Sequence, residues 1–196
     1  LLDPYFSATK IKWILDNVEN ARKMAENGEL CFGTIESFLI WNLTEEKNHK
    51  TDATNASRTM LMNLETLEWD DSLLEIFNIP KNILPEICSC DDKFGSINLF
   101  DQKFPITGVI GDQQSALFGQ NCFEFGEMKS TYGTGCFLMV NTKEKIYKSE
   151  ARLLSTVGCM LGNTVSYALE GSIFSAGTSI QWLRDEMKFF DDSSES

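Results

Sequence analysis

The sequence predicts a mixed α/β fold built as parts of two domains. Three observations carry this reading. Apolar positions at helical spacing alternate with β-rich runs as far as Phe118. Four β-rich stretches then follow one another, at 129–132, 137–141, 153–160 and 164–169. A final amphipathic stretch, 174–189, closes the chain. Residues 120–125 read as a hinge, giving a first domain over 1–120 and the start of a second over 121–196.

Each element has a local reason. Ser7 stands where a helix cap is expected, and Ile11, Ile14, Leu15 and Val18 follow at helical spacing. Gly28 ends that region. Residues 34–43 are apolar at most positions and read as a buried helix, followed by a charged, solvated loop over 45–50. Residues 59–64 read as a strand. Asp70 and Asp71 open a short helix that runs through Phe77 and stops at Pro80. Residues 85–97 are strand and turn material, and 101–104 a surface loop. Residues 106–110 form a β-rich run that leads into Gly111. The four later β stretches suggest a meander. In the last helix Ala176, Ile180, Leu183 and Met187 mark the buried stripe, and Gly177 and Gln181, four apart, share a neighbouring face.

Composition narrows the function. A net charge of −12 with no basic run argues against nucleic acid and against anionic membranes. Nucleotides still fit, because their phosphates need local N–H groups and a cation rather than global charge. No apolar stretch reaches the length of a membrane span. Six cysteines are scattered among apolar residues and read as reduced, buried thiols of a cytosolic protein. Cys88 and Cys90 lack a second pair and His49 is the only histidine, so no zinc site is expected.

Two motifs carry chemistry. Gly111-Asp112-Gln113-Gln114 places a carboxylate between a β-rich run and a helix, where free N–H groups and the helix dipole favour negative charge. Tyr132-Gly133-Thr134-Gly135 is a turn small enough for backbone N–H groups to approach a phosphate. A single carboxylate with a phosphate-holding turn suggests phosphoryl transfer to a hydroxyl. Spacing alone equally fits a turn with a helix cap and an ordinary hairpin.

The chain resembles the FGGY carbohydrate kinases of the actin/hexokinase superfamily. The likeness runs through separated blocks in the family's order: 5–17, Phe32-Gly33-Thr34, Trp41, 51–59, 111–114, 131–137, 167–171 and 177–187. Within the family, Tyr5 with Asp112-Gln113 and residues 131–137 is more similar to the members that phosphorylate glycerol than to those acting on pentuloses or hexuloses. The resemblance implies RNase-H-like mixed sheets flanked by helices, with the two domains around a cleft. It implies ATP-dependent conversion of glycerol to sn-glycerol 3-phosphate, with Mg2+, in a cytoplasmic protein that is a homo-oligomer when intact. Family members are considerably longer, so the chain reads as the middle of a larger enzyme and is expected to be inactive alone.

The same resemblance distributes the roles. Asp112 is the general base toward the attacking hydroxyl. Tyr5 and Gln113 bind the polyol together with Asp112. Thr134 holds a nucleotide phosphate, Gly177 lets the nucleotide approach the last helix, and Gln181 contacts it one turn on. No protein metal cluster is assigned. Bacterial members inhibited by fructose 1,6-bisphosphate carry a glycine-rich loop with an arginine where this chain has residues 98–105, so no such inhibition is expected. The alternatives are another FGGY sugar kinase, or a non-catalytic fragment serving as an interaction module.

Overall fold

In a computed structural model, which describes residues 5–195, the chain divides into two units. The first reaches Gly111 and regains the short segment Cys159–Val165; the second holds Asp112–Gly158 and resumes at Ser166.

The first unit is built around helices α1 (Ser7–Asn17) and α2 (Ala21–Glu26). Ala8, Ile11 and Leu15 of α1 pack with Ala21, Ala25, Leu61, Ile79 and Ile83 in one core. Each fully buried Leu or Ile contributes about 1.5–3 kcal/mol. Two details depart from expectation. Phe6, not Ser7, holds the N-cap position, and no side chain caps the helix. Ile14 and Val18 lie about half exposed, because the core face is set by positions 8, 11 and 15 and Val18 already leaves the helix with extended backbone.

Helix α3 (Ile35–Leu43) buries only Ser37 and Ile40, although a buried helix was expected. Ile35, Phe38, Leu39, Trp41 and Leu43 are exposed. The cause is geometric: a helix apolar all round needs cover on every side, and α3 packs on one. Its packing partners are β1 (Lys50–Asp52) and β3 (Gly95–Leu99). Residues 59–64 form turns rather than the expected strand, with a single bridge between Met62 and Trp69. Thr59 Oγ1 bonds to the Ala56 carbonyl and accepts from Leu61 N–H, and Met60 takes a φ of 62°. Those local bonds replace a ladder.

β1 pairs in parallel with β2 (Glu86–Cys88) and leads into the short helix α4 (Ala53–Ala56). Helix α5 (Asp71–Phe77) forms as expected: Asp70 caps it by accepting from Leu73 N–H at 3.1 Å, and Asn78 ends it in the left-handed region. Residues 101–104, expected as a loop, contribute instead to β4 (Gln102–Ile106), which pairs antiparallel with β3. Phe100 and Asp101 both have positive φ, the turn geometry that matches strand twist in a tight hairpin. The run 106–110 is strand only at Ile106. A strand requires a paired ladder, and here Val109 N–H donates to the Cys90 carbonyl while Gly111 N–H turns to a side chain.

The second unit opens with α6 (Asp112–Gly119) and holds β5 (Met128–Tyr132), β6 (Cys136–Lys143) and all but the adjoining ends of β7 (Leu154–Leu161) and β8 (Thr164–Ile173), strands of one four-stranded sheet. The order is β5-β6-β8-β7, not the expected meander. β8 folds back between β6 and β7 and pairs antiparallel with β6. Leu117 of α6, Cys122, Met139 and Ala168 form the core beneath the helix. Residues 120–125 pack with this unit: Cys122 is buried and its carbonyl accepts from Asn141 Nδ2 at 2.8 Å.

Helix α7 (Gly177–Asp185) is shorter than the expected 174–189. None of its residues is buried; Ile180 and Leu183 are half-buried and Met187 lies beyond its end, exposed. Of the cysteines, Cys88, Cys90, Cys122 and Cys136 are buried, whereas Cys31 is exposed against expectation. Among the described residues no helix is long and apolar enough to cross a membrane.

Candidate active site

Asp112 is the first residue of α6, and its side chain is exposed at the helix N-terminus. Gln113 Nε2 donates to Asp112 Oδ2 at 3.1 Å, and Ser115 Oγ donates to the Asp112 carbonyl at 2.8 Å. Gln114 turns the other way. It is buried, and its amide donates to Thr156 Oγ1 on β7, which ties α6 to the sheet.

Gln113 has a second partner that sequence reasoning missed. Lys129 of β5 is buried, and its Nζ donates to Gln113 Oε1, to Thr131 Oγ1 at 2.9 Å and to the Phe137 carbonyl at 3.3 Å. Burial holds the Lys129 ammonium below its usual pKa, with the neighbouring Glu170 and Asp112 carboxylates and Cys136 opposing. Glu170, on β8, is buried as well. A lysine on a β-rich stretch looks like a solvated strand position, so only the pairing of β5 with β6 reveals it.

The residue before Asp112 is held by a second hydrogen-bonded set. Gly111 N–H donates to Thr54 Oγ1 at 2.8 Å, and that hydroxyl donates to Asp52 Oδ2. Asp52 is wholly buried and caps α4, accepting from Thr54 N–H at 2.8 Å and from Asn55 Nδ2 at 2.6 Å. Burial raises its carboxyl above the usual range, partly offset by the Thr54 and Asn55 bonds. Asn55 thus serves the cap.

The Gly133-Thr134-Gly135 turn closes the β5–β6 hairpin, with Tyr132 opposite Cys136 and Gly133 N–H donating to the Gly135 carbonyl at 2.8 Å. It docks on the start of α7 through main-chain groups. Gly177 N–H donates to the Gly133 carbonyl at 2.9 Å, and Ala176 N–H to the Thr134 carbonyl at 2.8 Å. A Cβ on Gly177 would fall 2.5 Å from the Gly133 oxygen, and one on Gly135 would fall 2.6 Å from the Ile173 oxygen. Both glycines are therefore required for packing, before any ligand is considered. Thr134 is exposed at the tip, and Gln181 is exposed one turn into α7. A turn with small residues beside a helix N-terminus favours an anion.

Asp112, Gln113, Thr134, Gly177 and Gln181 all fall in the second unit. Lys129 lies between the two motifs in sequence, and its ammonium reaches Gln113 and Thr131. Tyr5 belongs to the first unit and is exposed; its carbonyl accepts from Lys10 Nζ at 2.8 Å, and the same ammonium lies 5.7 Å from its ring centre. Among the described residues no group of three or more His, Cys, Asp or Glu side chains could hold a metal ion.

Helix-flanked sheets and a glycine turn docked on a helix start place this chain among the α/β proteins of the actin/hexokinase type. Two family models match it: the N-terminal domain of the FGGY family of carbohydrate kinases over residues 1–119, and the C-terminal domain over residues 128–196. The chain belongs to the FGGY family of carbohydrate kinases. It is 59% identical to a glycerol kinase of Alteromonas mediterranea and 58% identical to one of Fusobacterium nucleatum, each over the whole chain and 40% of the relative. A crystal structure of Plasmodium falciparum glycerol kinase with ADP superposes with a TM-score of 0.91 at 44% identity, over 98% of this chain and 39% of that one. The chain thus spans about two fifths of the length of the curated relatives it matches.

Proposed function

We propose that the intact protein carrying this chain transfers the γ-phosphoryl group of ATP to glycerol, giving sn-glycerol 3-phosphate. The observation that carries the reading is the head of α6. There an exposed carboxylate stands at a helix N-terminus, bonded to an amide whose other end is held by a buried lysine. The identity to glycerol kinases over the whole chain supports the choice of substrate within the family. In this reading the protein is cytoplasmic and homo-oligomeric, with parts of two domains here, the first ending near residue 120.

Each side chain has a task in this reading. Asp112 accepts the proton of the attacking hydroxyl as the oxygen approaches phosphorus. Gln113 presents its amide to a second hydroxyl, and Tyr5 supplies a further hydrogen bond to the polyol. The Gly133-Thr134-Gly135 turn offers N–H and hydroxyl groups to a nucleotide phosphate, with Gly177 and Gln181 of α7 lining the nucleotide's path. The donor set fits Mg2+ rather than a caged metal: one exposed carboxylate, Asp112, suits an ion that keeps most of its waters and shares the phosphates. When bound, that ion neutralises phosphate charge; Asp112 would hold it directly or through water.

The test is Asp112→Asn in the intact protein. Turnover should fall about 10²–10⁴-fold while ATP binding persists. Unchanged turnover removes Asp112 as base. A panel of polyols and ketoses read by ADP release tests the substrate; preference for a pentulose or hexulose would move the protein to another branch of its family.

A further inference from the structure

We propose that Lys129 is a positioning residue of the reaction, setting the orientation of the Gln113 amide. The inference rests on the function proposed above and extends it to a residue outside both motifs.

Three observations carry it. First, the two ends of the Gln113 amide have distinct partners: Lys129 Nζ, which can only donate, takes Oε1, and Asp112 Oδ2, which accepts when ionised, takes Nε2. The amide therefore cannot flip without facing two donors together and two acceptors together. Second, the ammonium is buried and holds three acceptors, on β5, β6 and α6, so its own place is fixed. Third, the charges facing it come from different elements: Asp112 on α6, Glu170 on β8 and the Cys136 thiol on β6. A surface lysine would gain little from such contacts, whereas a buried one is costly to leave uncompensated.

The experiment uses the intact protein with Lys129→Met. The glycerol KM should rise about ten- to a hundredfold, the loss of a charge-assisted bond, with the ATP KM changed far less. The glycerol KM should change more than kcat, because Lys129 acts through the Gln113 amide and not on the reacting atoms. In a Gln113→Ala background the same substitution should cost much less glycerol affinity, since the two groups act through one contact. Where Lys129→Met alone does not fold, Lys129→Met with Glu170→Gln removes both buried charges together and should show the same rise in glycerol KM. A wild-type glycerol KM in either folded variant overturns the proposal. So does an equal loss with and without Gln113. If Asp112→Asn abolishes turnover while Lys129→Met behaves as wild type, only this inference falls. If Asp112→Asn remains active, both fall.

Discussion

The head of α6 and the turn of the β5–β6 hairpin serve one proposed reaction but are held by different chemistry. At α6 the contacts are between side chains: Lys129 to Gln113, Gln113 to Asp112, with Glu170 nearby. At the turn they run mainly between main-chain groups, Gly177 to Gly133 and Ala176 to Thr134, with the Thr178 hydroxyl adding one bond to the Thr134 carbonyl at 3.2 Å. The first arrangement depends on charge and on which atoms donate. The second depends on the absence of side chains, because Gly135 and Gly177 leave room that a Cβ would fill. A base needs a tuned, oriented carboxylate; a phosphate cradle needs backbone brought close and kept there.

Substitutions at each end test this difference. Asp112→Asn sets the upper end of the expected effects. Next comes Gly177→Ala. The added methyl meets the Gly133 carbonyl, which is backbone and cannot swing aside. ATP affinity should fall about tenfold and stability by about 1–3 kcal/mol, with glycerol affinity nearly kept. Calorimetric titration of both ligands checks this; an equal loss of both would show that the two regions are not independently held.

Asp52→Asn probes the hydrogen-bonded set that holds Gly111. An amide there keeps one acceptor but turns N–H groups toward donors of Thr54 and Asn55, at a cost of about 1–3 kcal/mol in stability at neutral pH. The pH dependence has a definite sign. Burial raises the folded Asp52 carboxyl above its ordinary value of 3.8. The stability that Asp52 contributes is thus fully present below 3.8 and lost as pH rises through its raised folded value. Urea unfolding of wild type and Asp52→Asn should show a stability gap that widens on acidification. A gap that narrows would mean that Asp52 is held ionised.

The smallest expected effect is none. The β3–β4 hairpin offers an anion neither a free cation nor a glycine cradle, since Lys103 is already paired with Glu46 at 3.2 Å and Glu45 at 3.7 Å. Fructose 1,6-bisphosphate should leave the turnover of the intact protein unchanged. Inhibition relieved by Lys103→Ala would show that those pairs open readily.

Much of the local structure around the candidate site was legible in the sequence because local rules govern it. Asp112 opens a helix where a carboxylate after glycine should, and residues 133–135 turn because small residues allow it. Asp70 caps α5 for the same kind of reason. The errors fall where a distant partner decides. Residues 107–110 have β-rich composition, yet a strand exists only where a neighbour pairs with it. The hydroxyl of Thr59 turned an expected strand into a bend. The apolar run of α3 promised burial, which requires cover that composition does not supply.

By itself, then, the sequence determined which residues could carry charge or turn tightly, because cap and glycine preferences act within a few residues. Tertiary structure alone decided that Lys129 would be buried with its ammonium on Gln113, that β8 would lie between β6 and β7, and that Gly177 would meet Gly133. Those outcomes join residues far apart in the chain, and their energies arise from desolvation and close packing that no local pattern encodes.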